Sequence, residues 1–336
     1  MRGPGAAAAA LGSRPEGDTV HTTSALAVAL SLALSPIDSD PPDRKEGDIP
    51  AKRIEVEPGV ELHVRDFGEG PPVLLLTGGP GFAGSTFEDT ARHLAKKHRV
   101  ILPDQRGTGR SGPTPFEATS LTIESAVRDL EELRKKLELD SWILVGHSWG
   151  GILSMSYAAE HTERVAGMVL VDSGGVTPEF FQRYGEAIFA RLGEEAQREY
   201  SLLRPKEITP SGMAELSRDR NLIMAPGMVA RPEAVPLLRA FLGEEQFNPR
   251  VGMAMNRALS TFDLRGSLKG FEAPCAVIQG AEDPLGKQTL DEVVAELPEG
   301  TPQHLIEDCG HWPYIEAPEE FHRLLDTVLA DVTGRG

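Results

Sequence analysis

The sequence predicts a doubly wound, mostly parallel α/β fold that is entered through an N-terminal hairpin and interrupted by a helical insertion. Three observations lead there. Apolar runs at Pro72–Leu76, Trp142–Val145 and Val165–Val171 read as buried strands, and His98–Leu102 as a further strand. The stretches between them have helical periodicity: Thr122–Glu138 places Ile123, Val127, Leu130, Leu133 and Leu137 on one stripe. From about residue 176 to 263 this alternation stops and only helix-like stretches remain, after which strand and helix patterns resume.

Taken in order, residues 1–50 do not read as fold. Met1–Ala10 is Gly/Ala-rich, and Ser24–Ser35 is an apolar run followed by the polar, proline-containing Pro36–Pro50. The run is too short to span a bilayer and long enough for a signal-peptide core, with Ala33 and Ser35 as small residues before Pro36. Export is therefore favoured over a cytoplasmic location, although Arg2 and Arg14 upstream are offset by Glu16 and Asp18. Arg53–Glu57 and Val60–Phe67 alternate apolar and polar residues around Pro58-Gly59, a hairpin signature. A helix is expected at about Thr86–Lys97. Segments 51–175 and 264–334 make the α/β core, and 176–263 makes a helical lid with helices near Pro178–Leu192 and Pro232–Leu242. Ala276–Gly280 and Gln303–Ile306 are the last strands. The helix from Pro318 closes the chain, with proline at its first position and Glu319 and Glu320 in its first turn.

Composition narrows the function classes. The 336 residues are 40% hydrophobic and 25% charged, as in a globular domain with a sizeable core. A net charge of -17 argues against nucleic acid or anionic lipid as a partner. Cys275 and Cys309 open one predicted strand and close its neighbour, too far apart for a disulfide, and read as core thiols. No His/Cys/Asp cluster has zinc spacing, so neither metal nor cofactor is expected.

The chemistry concentrates at Gly146-His147-Ser148-Trp149-Gly150, between an apolar strand and a helix beginning near Ile152. A Gly-x-Ser-x-Gly at such a junction exposes the serine at the carboxyl edge of the sheet and aims the next amide, that of Trp149, at a developing oxyanion. Serine needs a base, and the base needs a carboxylate to orient it. Asp283, in Gly280-Ala281-Glu282-Asp283-Pro284, and His311, in Gly310-His311-Trp312-Pro313, follow in that order, each just beyond a predicted strand. Asp172, at another strand end, is the fallback acid, and His147 reads as a packing residue. Gly107-Thr108-Gly109-Arg110-Ser111-Gly112 fits the dinucleotide pattern, but Pro113 and Pro115 follow where a helix would have to begin.

These motifs, with Gly78-Gly79-Pro80-Gly81 and Asp104-Gln105-Arg106-Gly107-Thr108-Gly109-Arg110-Ser111, make residues 52–334 resemble an α/β-hydrolase-fold serine hydrolase of the proline iminopeptidase family. The resemblance implies an acyl-enzyme mechanism with Ser148, Asp283 and His311 as the triad. It also implies that Gly79 and Trp149 form the oxyanion hole, that the Gly79-Pro80 bond admits a cis form, and that Asp104 and Arg106 brace the surrounding loops. The implied substrate is a small molecule or short peptide, first among them peptides with N-terminal proline. Two positions depart from the family. Thr77 stands where the family has His, so its loop is expected to be held differently. The lid also lacks the family's tryptophan-glutamate motif, since Trp142, Trp149 and Trp312 all lie outside it, and Glu244 and Glu245 are the substitutes for binding the free amine. An esterase, lactonase or amidase for small apolar acyl groups is the alternative, and a non-catalytic ligand-binding protein on the same scaffold is the reading from another class.

Overall fold

The computed structural model describes residues 49–112, 120–243 and 247–334. The N-terminal leader, Glu244 and Glu245 lie outside the described residues. Eight strands form one sheet: β1 (Ala51–Glu57), β2 (Val60–Phe67), β3 (Pro72–Leu76), β4 (Arg99–Pro103), β5 (Trp142–His147), β6 (Val165–Val171), β7 (Cys275–Gly280) and β8 (Gln303–Ile306). Their spatial order is β1-β2-β4-β3-β5-β6-β7-β8. β1 and β2 pair antiparallel, as does β2 with β4, and every later pair is parallel. Connections from β3 lead one way to β4 and then back past β3 to β5. That reversal is the switch point at whose carboxyl edge ligands bind in open α/β sheets.

Helices cover both faces: α1 (Glu88–Leu94), α2 (Ile123–Lys136) and α3 (Trp149–Glu160), then, between β6 and β7, α4 (Glu179–Arg191), α5 (Glu194–Leu202), α6 (Pro210–Met228), α7 (Val235–Gly243) and α8 (Pro249–Leu259). α9 (Gly286–Val294), α10 (Pro313–Glu316) and α11 (Pro318–Val332) complete the chain. Alternate strand residues feed opposite cores because successive side chains point to opposite faces. Leu74, Leu76, Leu144, Met168, Leu170 and Val277 pack with α2 and α3. Val73, Leu75, Ile143, Val145, Val169 and Ile278 pack with α1 and α11. The stripe expected on the second helix is the one buried, and Thr122 caps it by accepting from the Ser125 amide at 3.1 Å. The first helix is shorter than expected: Gly84–Phe87 is a 3-10 turn and the α-helix stops at Leu94. The segment between β6 and β7 has its own apolar cluster, in which Ile188, Ala225, Met228, Leu238 and Leu242 meet Phe82 and Trp312 from the loops of the sheet edge. Both cysteines are buried and unpaired. No helix among the described residues is long and apolar enough to cross a membrane.

Candidate active site

Ser148 joins β5 directly to α3, with φ 54° and ψ -115°. Such a conformation costs a non-glycine residue on the order of 1–3 kcal/mol and persists only where the surroundings enforce it. Three backbone bonds do so: the Ser148 amide donates to the Val171 carbonyl at 3.0 Å, and the Ser148 carbonyl accepts from Gly151 and Gly174 at 2.9 and 3.0 Å. The flanking glycines are a packing requirement. A Cβ at Gly146 would collide with the Gly150 carbonyl, and one at Gly150 with the Leu76 carbonyl.

Asp283 follows β7 and His311 follows β8, so the sheet brings residues from three separate strand ends to one place. His311 Nε2 lies 3.1 Å from Ser148 Oγ, and His311 Nδ1 lies 3.0 Å from Asp283 Oδ2. The other Asp283 oxygen accepts from the Leu285 amide at 2.8 Å. Burial opposes ionisation of Asp283, but the charge and hydrogen bond of His311 prevail and hold its carboxyl below the ordinary value. A carboxylate at Nδ1 fixes the tautomer that leaves Nε2 free to accept from the serine hydroxyl.

The His311 backbone is held from both sides. Its amide donates to the Met228 carbonyl at 2.9 Å, and its carbonyl accepts from His147 Nε2 at 2.8 Å. Burial, then the neighbouring His311, pushes the His147 imidazole down to about 3, so it serves as a neutral donor. It packs as the sequence suggests, and it also anchors the loop. The Glu316 carboxylate, from α10, accepts from the amides of Gly310 at 3.0 Å and Trp312 at 3.3 Å, on either side of His311. It accepts as well from Ala230 at 2.7 Å and Arg231 at 3.3 Å, just beyond α6. Tyr184 of α4 lays its ring against His311, with centroids 5.1 Å apart.

On the other side of Ser148 the Trp149 amide, first of α3, has no partner within its own helix. Gly79, at φ +113°, precedes a cis bond to Pro80. Gln105 ties the two loops together. Its Oε1 accepts from the Trp149 indole at 2.8 Å, and its Nε2 donates to the Thr77 carbonyl and hydroxyl, both at 3.1 Å. The Thr77 hydroxyl in turn donates to the Phe82 carbonyl at 3.0 Å. This is how the loop is held where the resembling family has His. The insertion clips onto the same loop, for the Asn248 amide donates to the Gly81 carbonyl at 2.8 Å and its Nδ2 to the Gly107 carbonyl at 2.9 Å. Asp104 accepts from the Gly84 and Arg110 amides, both at 2.7 Å, and so braces the loops after β3 and β4. Arg106 pairs with Asp129 and Glu57.

A small cavity of about 20 Å³ lies beside Trp149 and Gln105, lined also by Leu121, Val251 and Met255. A cleft of about 280 Å³ opens at the opposite, amino-terminal edge of β7 and β8, away from these groups. Among the described residues the one convergent set of metal-ligand types is Asp172, Asp283 and His311. A cation on His311 Nδ1 would displace Asp283 and impose the tautomer that cannot accept from Ser148, so this set fits proton chemistry better than metal binding.

Sequence reasoning gave no part in the site to Glu316, Tyr184 or Asn248. Gln105 does carry a local signal, since it lies inside the Asp104–Ser111 motif.

The family described as alpha/beta hydrolase fold matches residues 71–318. Proline iminopeptidase of Neisseria gonorrhoeae is 41% identical over 102 residues, which span 30% of this chain and 32% of that protein. The 2-hydroxy-6-oxo-6-phenylhexa-2,4-dienoate hydrolase of Burkholderia cepacia is 27% identical over 281 residues, covering 80% of this chain and 91% of its own. Among solved structures, a proline iminopeptidase-related protein of Thermus thermophilus superposes with a TM-score of 0.67 at 25% identity, covering 86% of this chain and all of that one. With the family matched over most of its length and the sheet order and strand-end loops in agreement, this chain belongs to the α/β-hydrolase fold family.

Proposed function

We propose that the protein is a serine hydrolase that works through an acyl-enzyme. The observation that carries this is the unbroken path from Asp283 through His311 to Ser148, with contacts of 3.0 and 3.1 Å, at a strained turn that aims Ser148 into the sheet edge. Ser148 Oγ attacks the substrate carbonyl carbon while its proton passes to His311 Nε2, and the tetrahedral oxyanion forms against the amides of Trp149 and Gly79. His311 then gives the proton to the departing amine or alcohol. Water, deprotonated by the same nitrogen, releases the acyl group and restores the serine. Asp283 holds the imidazole in register and stabilises its charged form throughout. Removing one oxyanion donor from such a site costs about 2.7–4 kcal/mol of transition-state stabilisation.

For the substrate, the leading reading is an aminopeptidase that releases N-terminal proline or a similar residue from short peptides. Its support is the local identity to the iminopeptidase and the superposition on an iminopeptidase-related protein. A small apolar acyl ester is the second reading. What favours it is that the groups brought against the site from outside the sheet are aromatic and apolar, among them Tyr184, Phe82, Trp312 and Met255. Among the described residues, the carboxyls of Asp172, Asp283 and Glu316 beside the site are buried among its own groups instead of waiting for an amine. The test compares initial rates on proline p-nitroanilide, its N-blocked form and a p-nitrophenyl short-chain ester, for wild type and Ser148→Ala. Cleavage of the free-amine substrate alone of the two anilides, abolished by Ser148→Ala, is the expected result. Turnover of the ester alone replaces the peptidase by an esterase. Failure of a serine-reactive phosphonate to label Ser148 returns the scaffold to a ligand-binding role. Export is the reading for the leader, and a mature N-terminus near Pro36 is its test.

A further inference from the structure

Asp172 is a buried acidic side chain at this edge that takes no part in the mechanism. It follows β6 immediately and takes φ 40°, a left-handed conformation that an aspartate adopts at a cost. Its amide donates to the Ile278 carbonyl at 2.9 Å, and its Oδ1 accepts from the Gly280 amide at 2.9 Å. The side chain is wholly buried, and Oδ2 has no hydrogen-bond partner. A carboxylate oxygen of Asp172, one of Asp283 and a ring nitrogen of His311 lie within 4.8 Å of one another. The other ionisable groups facing it are Glu316 of α10, Tyr184 of α4, and Cys309 and Tyr314 beyond β8. Of all these, only His311 can carry a positive charge.

Two bare carboxylates at that separation, out of water and with one amide donor each, repel strongly. The way to relieve this is to keep one of them protonated. Burial first, and then the charge of Asp283, hold the Asp172 carboxyl well above the ordinary carboxylate range, while Asp283 is held below it. Oδ2 is where the proton belongs, because Oδ1 already accepts from the Gly280 amide and Oδ2 is the atom left without a partner.

We propose that Asp172 and Asp283 act as one two-carboxyl acid that keeps a single proton, carried on Asp172 and directed at Asp283. Asp172 is then a positioning residue for the Asp283–His311 pair. If Asp283 loses its charge, the Asp172 proton leaves for solvent and the carboxylate that remains still faces the imidazolium. This rests on the serine hydrolase reading for its role, though not for its protonation.

The test is a double-mutant cycle of Asp172→Asn and Asp283→Asn, read as kcat/KM on p-nitrophenyl acetate and as the rate of Ser148 labelling by a fluorophosphonate. An ordinary triad loses about 10⁴-fold when its aspartate becomes asparagine. Here Asp283→Asn alone is expected to lose only about 10²-fold, the low end of general-base effects. Asp172→Asn should cost severalfold in the wild-type background and about 10²-fold more once Asp283 is already Asn. Equal factors in the two backgrounds overturn the reserve role. Infrared spectra of the folded wild type near neutral pH supply a readout independent of activity: a carboxylic-acid carbonyl stretch that disappears in Asp172→Asn is expected, and its absence overturns the shared proton. If wild-type Ser148 takes no label, the hydrolase reading falls by itself while the infrared result still decides the protonation.

Discussion

Asp104 at the end of β4 and Asp172 at the end of β6 are both fully buried carboxyls on the same edge of one sheet, and they differ in how many donors surround them. The Asp104 oxygens meet the amides of Gly84 and Arg110 and the Arg65 guanidinium, at 2.7, 2.7 and 3.1 Å, with His63 Nδ1 3.4 Å away. Burial works against the charge there, but His63, Arg65 and the Arg110 amide outweigh it and lower the carboxyl's ordinary value. Asp172 has a single amide and a neighbouring anion instead, and its carboxyl is raised. Residue type and burial are therefore poor guides to charge inside a protein. What decides it is the count of donors on each oxygen.

Substitutions at these carboxyls should differ in both size and sign. Asp104→Asn leaves Arg65, 3% exposed, without that carboxylate, and should cost about 3–5 kcal/mol in urea unfolding at neutral pH, as losing one member of a buried ion pair does. A change as mild as that of a surface residue would show that the donors do not decide the charge. Asp172→Asn should act in the opposite direction, with a pH dependence. An acid raised in the folded state contributes stability fully below its unfolded value near 3.9, and loses it as pH rises toward the raised folded value. Asparagine has no proton to hold, so the variant should gain on wild type by about 1.4 kcal/mol per pH unit above that point, while the acid stays neutral. A difference in melting temperature that does not grow between pH 5 and 8 contradicts this. Asp104 has the reverse sign: its contribution is present above about 3.9 and is lost as pH falls through its lowered value. The smallest effect belongs to Glu57, whose side chain is 50% exposed in its pair with Arg106. Glu57→Gln should cost less than about 1 kcal/mol, because solvent screens an exposed pair. A loss comparable to that of Asp104→Asn would mean that burial does not set the scale.

Much of this architecture is legible in the sequence because it is written in local pattern. The buried strands announce themselves as apolar runs, the stripe of α2 as a helical period, and the turn at Ser148 as two glycines flanking it. His311 and Asp283 are found by position, each just past a strand in a sheet whose carboxyl edge gathers ligands. What stays hidden is partnership between residues far apart in the chain. Glu316 reads as an acid beside a helix start, and nothing local says that four amides from two segments converge on it. Tyr184 reads as one more apolar position on a helical stripe until the fold sets it against His311. Asp172 can be placed at a strand end by pattern, but its ionisation depends on Asp283, which only the pairing of β6 with β7 brings near.

The Glu316 clamp also bears on modularity. The insertion between β6 and β7 enters and leaves the sheet at two strand ends, which makes it look like a separable unit. Here the residues at the end of α6 and those beside His311 share one carboxylate, and the His311 amide itself rests on the Met228 carbonyl. A transplanted insertion that does not present amides to Glu316 would leave the imidazole adrift although Ser148, Asp283 and His311 were unchanged. Amide exchange at Ala230, Gly310 and Trp312 should accordingly report a single opening event. Whatever displaces the insertion therefore also loosens His311, so the imidazole and the segment packed against it are held as one mechanical unit.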